Sequence, residues 1–272
     1  MVSCGSDSSS SRSQASSETT SISEVTTVSA ESNNSAAESS DPTADSSHRA
    51  DPPPLPDGLP LSKEEIYDFF SRSAFVGTSI GRDRKQYYDS FGEDYLGSPV
   101  MLVKGSYAFY SDEGRRGADL QVEYNGTPAP ARECIKKCGA KYVFLNVGVN
   151  DIFHSDKWEP VVDEYKRYIQ GIRDLSPDTV IFIESLTPIC EQGQIALLTN
   201  ETLDKFNACM KEYAESQNDM YYIDVSTPLK NDRGALKDEY SRDNYIHLTD
   251  EAYRIWTETV IRFVCDYMES QK

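Results

Sequence analysis

The chain has 272 residues and a formal net charge of −18, from 45 acidic against 27 basic side chains. This balance argues against nucleic-acid binding, which needs Lys and Arg to displace the counterions of the phosphates. No stretch of the sequence approaches the length of a transmembrane helix, so the chain is expected to contact a membrane only through a lipid, if at all.

The first 56 residues differ in composition from the rest. Of the first 50 residues, 23 are Ser or Thr, and large apolar groups are almost absent. Such a segment cannot bury enough apolar surface to offset the entropy of ordering it. Prolines at 52–54 and 56 then stiffen the chain. The composition predicts a disordered Ser/Thr-rich tether over 1–56 and one globular domain over 57–272.

The beginning of the tether, Met1-Val-Ser-Cys4-Gly-Ser, resembles the processing site of a bacterial lipoprotein. In that family Cys4 would carry the lipid after removal of the signal peptide. The resemblance implies an extracellular or cell-surface protein, lipid-anchored to the bacterial membrane at Cys4. The charged and apolar parts of a signal peptide are missing, and the alternative is a disordered N-terminus with an incidental cysteine.

The globular part alternates short apolar runs with longer amphipathic segments. Apolar strands that alternate with helices are typical of a parallel sheet covered on both faces. The pattern predicts a three-layer α/β/α sandwich with a mainly parallel sheet of about five strands. Active sites of such folds lie beyond the C-terminal ends of the strands. The predicted helices are 62–71, 80–91, 130–138, 157–175, 200–216 and 249–267, and the predicted strands are 74–76, 100–103, 121–124, 142–147, 179–183 and 220–225.

Ser79 lies in the segment that joins the first predicted strand to the following helix, in the sequence Gly77-Thr-Ser79. A serine at that point has its hydroxyl exposed near the backbone N–H groups of a helix N-terminus. Those groups can stabilise the oxyanion that forms when a hydroxyl attacks an ester carbonyl. Ser79 is therefore a candidate nucleophile, and the alternative is that it caps the helix.

Asn150 directly follows the buried strand at 142–147, in Gly148-Val-Asn-Asp151. A side-chain amide at a strand end can donate a hydrogen bond to a developing oxyanion. The alternative is that Asn150 and Asp151 only form an Asx-turn.

The chain has three histidines. His48 lies in the predicted tether, and His154 is either a substrate contact or a surface residue. His247 immediately precedes the last helix, and Asp243 lies four residues before it. A carboxylate in the same loop can accept the Nδ1 proton and orient the ring, which makes His247 a candidate base.

Together these segments resemble the GDSL/SGNH hydrolase family of serine esterases. The family's Gly-Asp-Ser block corresponds to residues 77–79, its Gly-x-Asn-Asp block matches 148–151, and its Asp-x-x-His block corresponds to the loop 243–247. The resemblance implies a flavodoxin-like SGNH hydrolase fold and a catalytic Ser79, His247 and Asp243. It also implies an oxyanion hole of the Ser79 N–H, a glycine N–H and the Asn150 side chain, and Gly105 is the candidate glycine.

Two positions depart from the family pattern. Thr78 stands where the family has Asp, at a supporting position. Asn244, rather than an aspartate, stands three residues before His247. Either Asn244 loops out and leaves Asp243 bonded to His247, or Asn244 or a backbone carbonyl orients the ring.

The resemblance implies hydrolysis of acyl esters, and a surface location makes acetylated extracellular polysaccharide the first substrate expected. Small-molecule esters are the other candidates. No metal or organic cofactor is expected. The alternatives are an acyltransferase with the same site and a non-catalytic carbohydrate-binding surface protein. Cys134 and Cys138, four residues apart on a predicted helix, are expected to be core thiols.

Overall fold

The computed structural model describes residues 50–113 and 118–272. Most of the predicted tether, with Cys4 and its predicted lipid, lies outside the described residues. At the end of the predicted tether, Leu55 packs against the core of the globular part. The boundary at residue 56 and the lipid anchor stay predictions.

A five-stranded parallel sheet and a separate two-stranded hairpin contain the strands of the domain. The strands are β1 (Ser73–Gly77), β2 (Val100–Val103), β3 (Glu123–Tyr124), β4 (Thr127–Pro128), β5 (Tyr142–Asn146), β6 (Val180–Glu184) and β7 (Met220–Ile223). The parallel sheet forms the centre of the domain, in the order β2–β1–β5–β6–β7. The chain runs from β1 outward to β2 and then returns across β1 to β5, so the topological switch point lies between β1 and β5. The hairpin, β3–β4, turns at Asn125 and Gly126, which both have positive φ.

Helices cover both faces of the sheet. They are α1 (Lys63–Ser71), α2 (Ser79–Asp89), α3 (Ala131–Cys138), α4 (Val149–Phe153), α5 (Glu159–Leu175), α6 (Asn200–Glu215) and α7 (Asp250–Ser270). On one side α1 and α2 contact α7, and on the other side α5 contacts α3 and α6. A capping box of Ser62 and Glu65 is present at the start of α1.

An aromatic row crosses the sheet in register. Phe75, Phe144, Phe182 and Tyr221 are neighbours on β1, β5, β6 and β7. Their rings stack with centroid separations of 4.5, 4.7 and 5.4 Å. Phe69 of α1 packs edge-on against Phe144 and Phe182. Because all four strands supply one ring each, this row fixes the strand register.

The predicted fold class is confirmed, with five strands in a parallel sheet between two layers of helices. The one-turn helix α4 was not predicted, because five residues are too few to show a helical period. Cys134 is buried and Cys138 is partly buried, and both are free thiols. In the described part of the chain, no helix has the length and apolar character needed to span a membrane.

Candidate active site

Ser79 is the first residue of α2 and is separated from the end of strand β1 by Thr78 alone. The turn between them is tight, since a Cβ on Gly77 would lie 3.1 Å from the Cα of Gly81. Thr78, not Ser79, is the N-cap, and its hydroxyl accepts a hydrogen bond from the Ile80 N–H. The Ser79 side chain is therefore not used as a cap. Its N–H is one of the four at a helix N-terminus that lack a partner within the helix.

The loop before α7 places His247 against Ser79. His247 Nε2 lies 3.1 Å from Ser79 Oγ, and its Nδ1 lies 2.5 Å from Oδ2 of Asp243. The other carboxylate oxygen of Asp243 accepts hydrogen bonds from the N–H groups of Tyr245, Ile246 and His247. The structure thus brings Ser79, His247 and Asp243 into one hydrogen-bonded line.

Asn244 loops out of this arrangement. Its φ is +57°, in the left-handed region that Asn tolerates better than most residues. The additional residue between Asp243 and His247 is accommodated by this turn, and Asp243 faces Nδ1.

The carboxyl of Asp243 is held in its charged form. Partial burial on its own raises the pKa of Asp243, but hydrogen bonds from the His247 ring and from the Tyr245 and His247 N–H groups outweigh it. The net pKa lies below the ordinary value of an aspartate. An ionised carboxylate beside Nδ1 favours the tautomer whose Nε2 is free to accept a proton.

Asn150 reaches the same edge of the sheet from the end of β5. Gly148 turns the chain with a φ of +121°, and a Cβ there would lie 3.2 Å from the ring of Phe206. The short helix α4 then begins, and Asn150 Nδ2 donates to the Tyr107 carbonyl oxygen at 2.7 Å. An amide nitrogen carries two hydrogens, so one is held by Tyr107 while the other can meet a second acceptor.

A cavity of about 430 Å³ joins these side chains. It lies beside the switch point between β1 and β5, where ligands bind in open parallel sheets. The lining residues are Ser79, Ile80, Ser106, Val149, Asn150, Phe153, His154, Leu198, Tyr245, Ile246 and His247.

The predicted glycine of the oxyanion hole is not part of this lining. Gly105 lies in the turn after β2, but the lining residue of that turn is Ser106, whose φ is +58°. The role of Gly105 stays a prediction.

A larger cavity, of about 550 Å³, lies elsewhere in the domain. It is bordered by α6, α7 and the end of β7, with Asp204, Lys211 and Phe263 among its residues. It contains neither Ser79 nor His247. We therefore assign the candidate site from the hydrogen-bonded groups rather than from cavity size.

Some residues of the site were not predicted from sequence. Leu198, Tyr245 and Ile246 form apolar walls of the cavity. Leu198 comes from the loop between β6 and α6, where no motif marks it. Tyr245 and Ile246 lie inside the predicted histidine block, so their position could have been inferred from it.

The fold and site define a three-layer α/β protein with a serine, a histidine and an aspartate aligned at the C-terminal edge of its sheet. Its sequence matches the model of the GDSL-like lipase/acylhydrolase family over residues 87–255, more than half of the chain. The chain therefore belongs to this family. The matched range contains Asn150, Asp243 and His247 but begins after Ser79, so the position of Ser79 rests on the geometry. No curated protein sequence matches the chain.

Solved structures with the same fold include a GDSL-like lipase from Bacteroides thetaiotaomicron, at 18% identity and a TM-score of 0.54. The alignment covers 76% of this chain and 91% of that one. A protein named as a candidate acylhydrolase from Bacteroides fragilis has 16% identity and a TM-score of 0.55, with 72% and 86% covered. At these identities the likeness shows the fold alone.

Proposed function

We propose that this protein is a serine esterase that hydrolyses acyl esters through a covalent acyl-enzyme. The observation that carries the proposal is the line of contacts from Ser79 Oγ to His247 Nε2, at 3.1 Å, and from His247 Nδ1 to Asp243, at 2.5 Å. A nucleophile, a base and an orienting carboxylate within hydrogen-bond reach are the groups that acyl transfer to a serine needs.

In the proposed reaction, Ser79 Oγ attacks the ester carbonyl carbon while His247 Nε2 takes the hydroxyl proton. The carbonyl oxygen becomes an oxyanion, which the Ser79 N–H and the second hydrogen of Asn150 Nδ2 stabilise. His247 then returns its proton to the leaving alcohol, and the acyl group stays on Ser79. Water, deprotonated by His247, attacks this acyl-enzyme. The bond between the acyl carbon and Ser79 Oγ then breaks, His247 returns the proton to Oγ, and the carboxylic acid leaves.

We propose an acetyl ester on an extracellular polysaccharide as the substrate, with small esters as the simpler alternative. The cavity lining supports a sugar contact, because Phe153 belongs to it and is 42% exposed, which leaves an aromatic side chain accessible to a ligand. Tyr87, Tyr88 and Tyr107 are buried and Trp158 packs against the core, so these aromatic side chains supply no such contact. A cell-surface location, with a lipid on Cys4, remains part of this proposal and is tested by membrane fractionation and mass spectrometry of Cys4.

Hydrolysis of p-nitrophenyl acetate by the wild type and Ser79→Ala tests the nucleophile. We expect kcat to fall by at least about 10³-fold, because the attacking atom is removed. Ser90→Ala is the matched control, since Ser90 lies at the C-terminal end of the same helix. Equal rates for wild type and Ser79→Ala would reject the nucleophile.

Two further measurements separate the alternatives. A fluorophosphonate should label the wild type and not Ser79→Ala, whereas a non-catalytic binding protein would show no labelling of either. Adding a polyol or oligosaccharide acceptor distinguishes an acyltransferase, since the acylated acceptor would then replace free acetate as the main product.

A further inference from the structure

A buried carboxylate joins the helix of Ser79 to the loop of His247. Asp83 lies one turn after Ser79 on α2, and only 2% of its side chain is exposed. Oδ1 of Asp83 accepts hydrogen bonds from Nε and Nη2 of Arg82, at 3.2 and 3.0 Å. Its other oxygen, Oδ2, accepts from Nη2 of Arg242. A charge this deeply buried is stable only when it is paired, so the two guanidinium groups stabilise Asp83 in place.

Arg242 is also part of the loop that carries the candidate base. It directly precedes Asp243, and its N–H donates to the His247 carbonyl oxygen at 2.9 Å. Asp243 closes the same loop from inside through its hydrogen bonds to residues 245–247. A further backbone hydrogen bond holds the loop to the segment that follows β6, where the Cys190 N–H donates to the Tyr245 carbonyl oxygen. The loop is thus a closed unit, and Arg242 links it to α2 in addition to the contact of His247 with Ser79.

Two contacts therefore connect α2 to the loop that carries His247. Ser79 and Asp83 are four residues apart on α2 and lie on one face of that helix. Arg242 and His247 are joined at the two ends of the closed loop. The contact Ser79–His247 is the one that reacts, and the ion pair Asp83–Arg242 lies beside it.

We propose that Asp83 and Arg242 are positioning residues, which hold the Asp243–His247 loop at the distance where His247 reaches Ser79. This inference rests on the proposed function. Neither residue is in the cavity lining, so neither is expected to touch the substrate. Loss of the pair lets the loop shift, and a shift of about 1 Å between base and nucleophile can lower the rate about 10²-fold.

The first test is the kinetics of Arg242→Gln. Arg82 still pairs with Asp83 in this variant, so the domain should fold. We expect kcat for p-nitrophenyl acetate to fall about 10²-fold with KM nearly unchanged. Arg242→Lys should recover part of the rate because it restores the charge. The double variant Asp83→Asn with Arg242→Gln should lose no more than the single ones, because both remove the same link.

Arg254→Gln is the matched control. Arg254 is a partly exposed arginine that pairs with Glu251 and Glu258 on its own helix, α7. Its loss should leave kcat near that of the wild type. A wild-type kcat in Arg242→Gln, or independent losses that multiply in the double variant, would overturn the positioning role.

A second readout does not depend on activity. In the wild-type background, Ser79→Ala should change the NMR shifts of the His247 ring, because the two side chains are in contact. In the Arg242→Gln background the same change should be less than half as large. If Ser79→Ala keeps wild-type hydrolysis, the proposed function fails, while this NMR comparison still decides the positioning role. An undiminished change in Arg242→Gln would overturn it.

Discussion

At the scale of single residues, the position of the supporting acid depends on one backbone angle. The family pattern places an aspartate three residues before the histidine, and this chain has Asn244 there. The positive φ of Asn244 turns that residue out, and Asp243 contacts Nδ1 of His247 instead. Sequence could state both alternatives but could not choose between them, because the choice depends on a local conformation.

The two neighbouring positions should respond differently to substitution. Asp243→Asn keeps an oxygen for the loop N–H groups but presents an amide NH₂ group to the ring. Because this group donates a hydrogen bond to Nδ1, it favours the tautomer whose Nε2 already carries a proton and cannot accept one from Ser79. We expect kcat to fall by roughly 10³-fold or more. Asn244→Gly should keep a rate close to the wild type, since glycine adopts positive φ without a Cβ clash. A larger loss in Asn244→Gly than in Asp243→Asn would contradict the assignment of Asp243.

At the scale of elements, the sequence predicted the strands, helices and motif blocks that a local pattern of residues encodes. The strands of the main sheet are mainly apolar, and the long helices are amphipathic, so both were found. The three motif blocks were found because each follows or precedes a regular element. Contacts between distant segments leave no local pattern, so neither the pair Asp83–Arg242 nor the cavity wall at Leu198 could be predicted.

The short helix α4 has two faces with different tasks. Asn150 points to the cavity, whereas Asp151 is buried, and its two carboxyl oxygens face the N–H groups of Phe109 and Tyr110. Burial raises the pKa of Asp151 to about 8, although these N–H groups lower it. Asp151 is thus mainly neutral at pH 7 and connects α4 to the loop that follows β2.

This raised pKa makes stability depend on pH in a defined direction. The folded state keeps the Asp151 proton in the range from about pH 4 to 8, where the unfolded chain releases it. The contribution of Asp151 to the free energy of unfolding is therefore complete below about pH 4 and is lost as the pH rises through 8. The upper limit of the slope is about 1.4 kcal/mol per pH unit.

Urea unfolding of the wild type and Asp151→Asn at pH 5, 6.5 and 8 measures how the contribution of Asp151 to stability depends on pH. The stability advantage of the wild type over Asp151→Asn should shrink steadily with rising pH. Titrations elsewhere in the chain cancel in the difference, including that of Asp112, whose pKa burial raises to about 6. A difference that stays constant over this range would show that Asp151 is ionised in the folded state.

At the scale of the whole molecule, an ion pair in the interior ties the sheet to two helices. Arg84 of α2 donates from Nη1 to both carboxylate oxygens of Glu184, at 2.9 and 3.2 Å, at the end of β6. Trp256 of α7 donates its indole N–H to the same carboxylate at 3.0 Å. The guanidinium lies 4.7 Å from the ring centres of both Phe75 and Trp256. Burial alone would lower the pKa of Arg84, but the attraction of Glu184 raises it above its usual value, so the guanidinium is charged.

Removing one charge of this pair should destabilise the whole domain. The side chains of Arg84 and Glu184 are 2% and 1% exposed, so Glu184→Gln would leave a guanidinium in the interior without its counter-charge. We expect a loss of about 3–5 kcal/mol in the free energy of unfolding.

Asp89→Asn is the matched control, because it breaks an exposed ion pair with Lys85 on the same helix, α2, and should leave the urea midpoint unchanged. Glu184 joins β6 to α2, which begins at Ser79, and to α7, which begins directly after the loop of His247. Its loss should therefore lower the unfolding midpoint of the entire domain in one transition. An unchanged midpoint for Glu184→Gln would show that this buried ion pair is not needed to hold β6, α2 and α7 together.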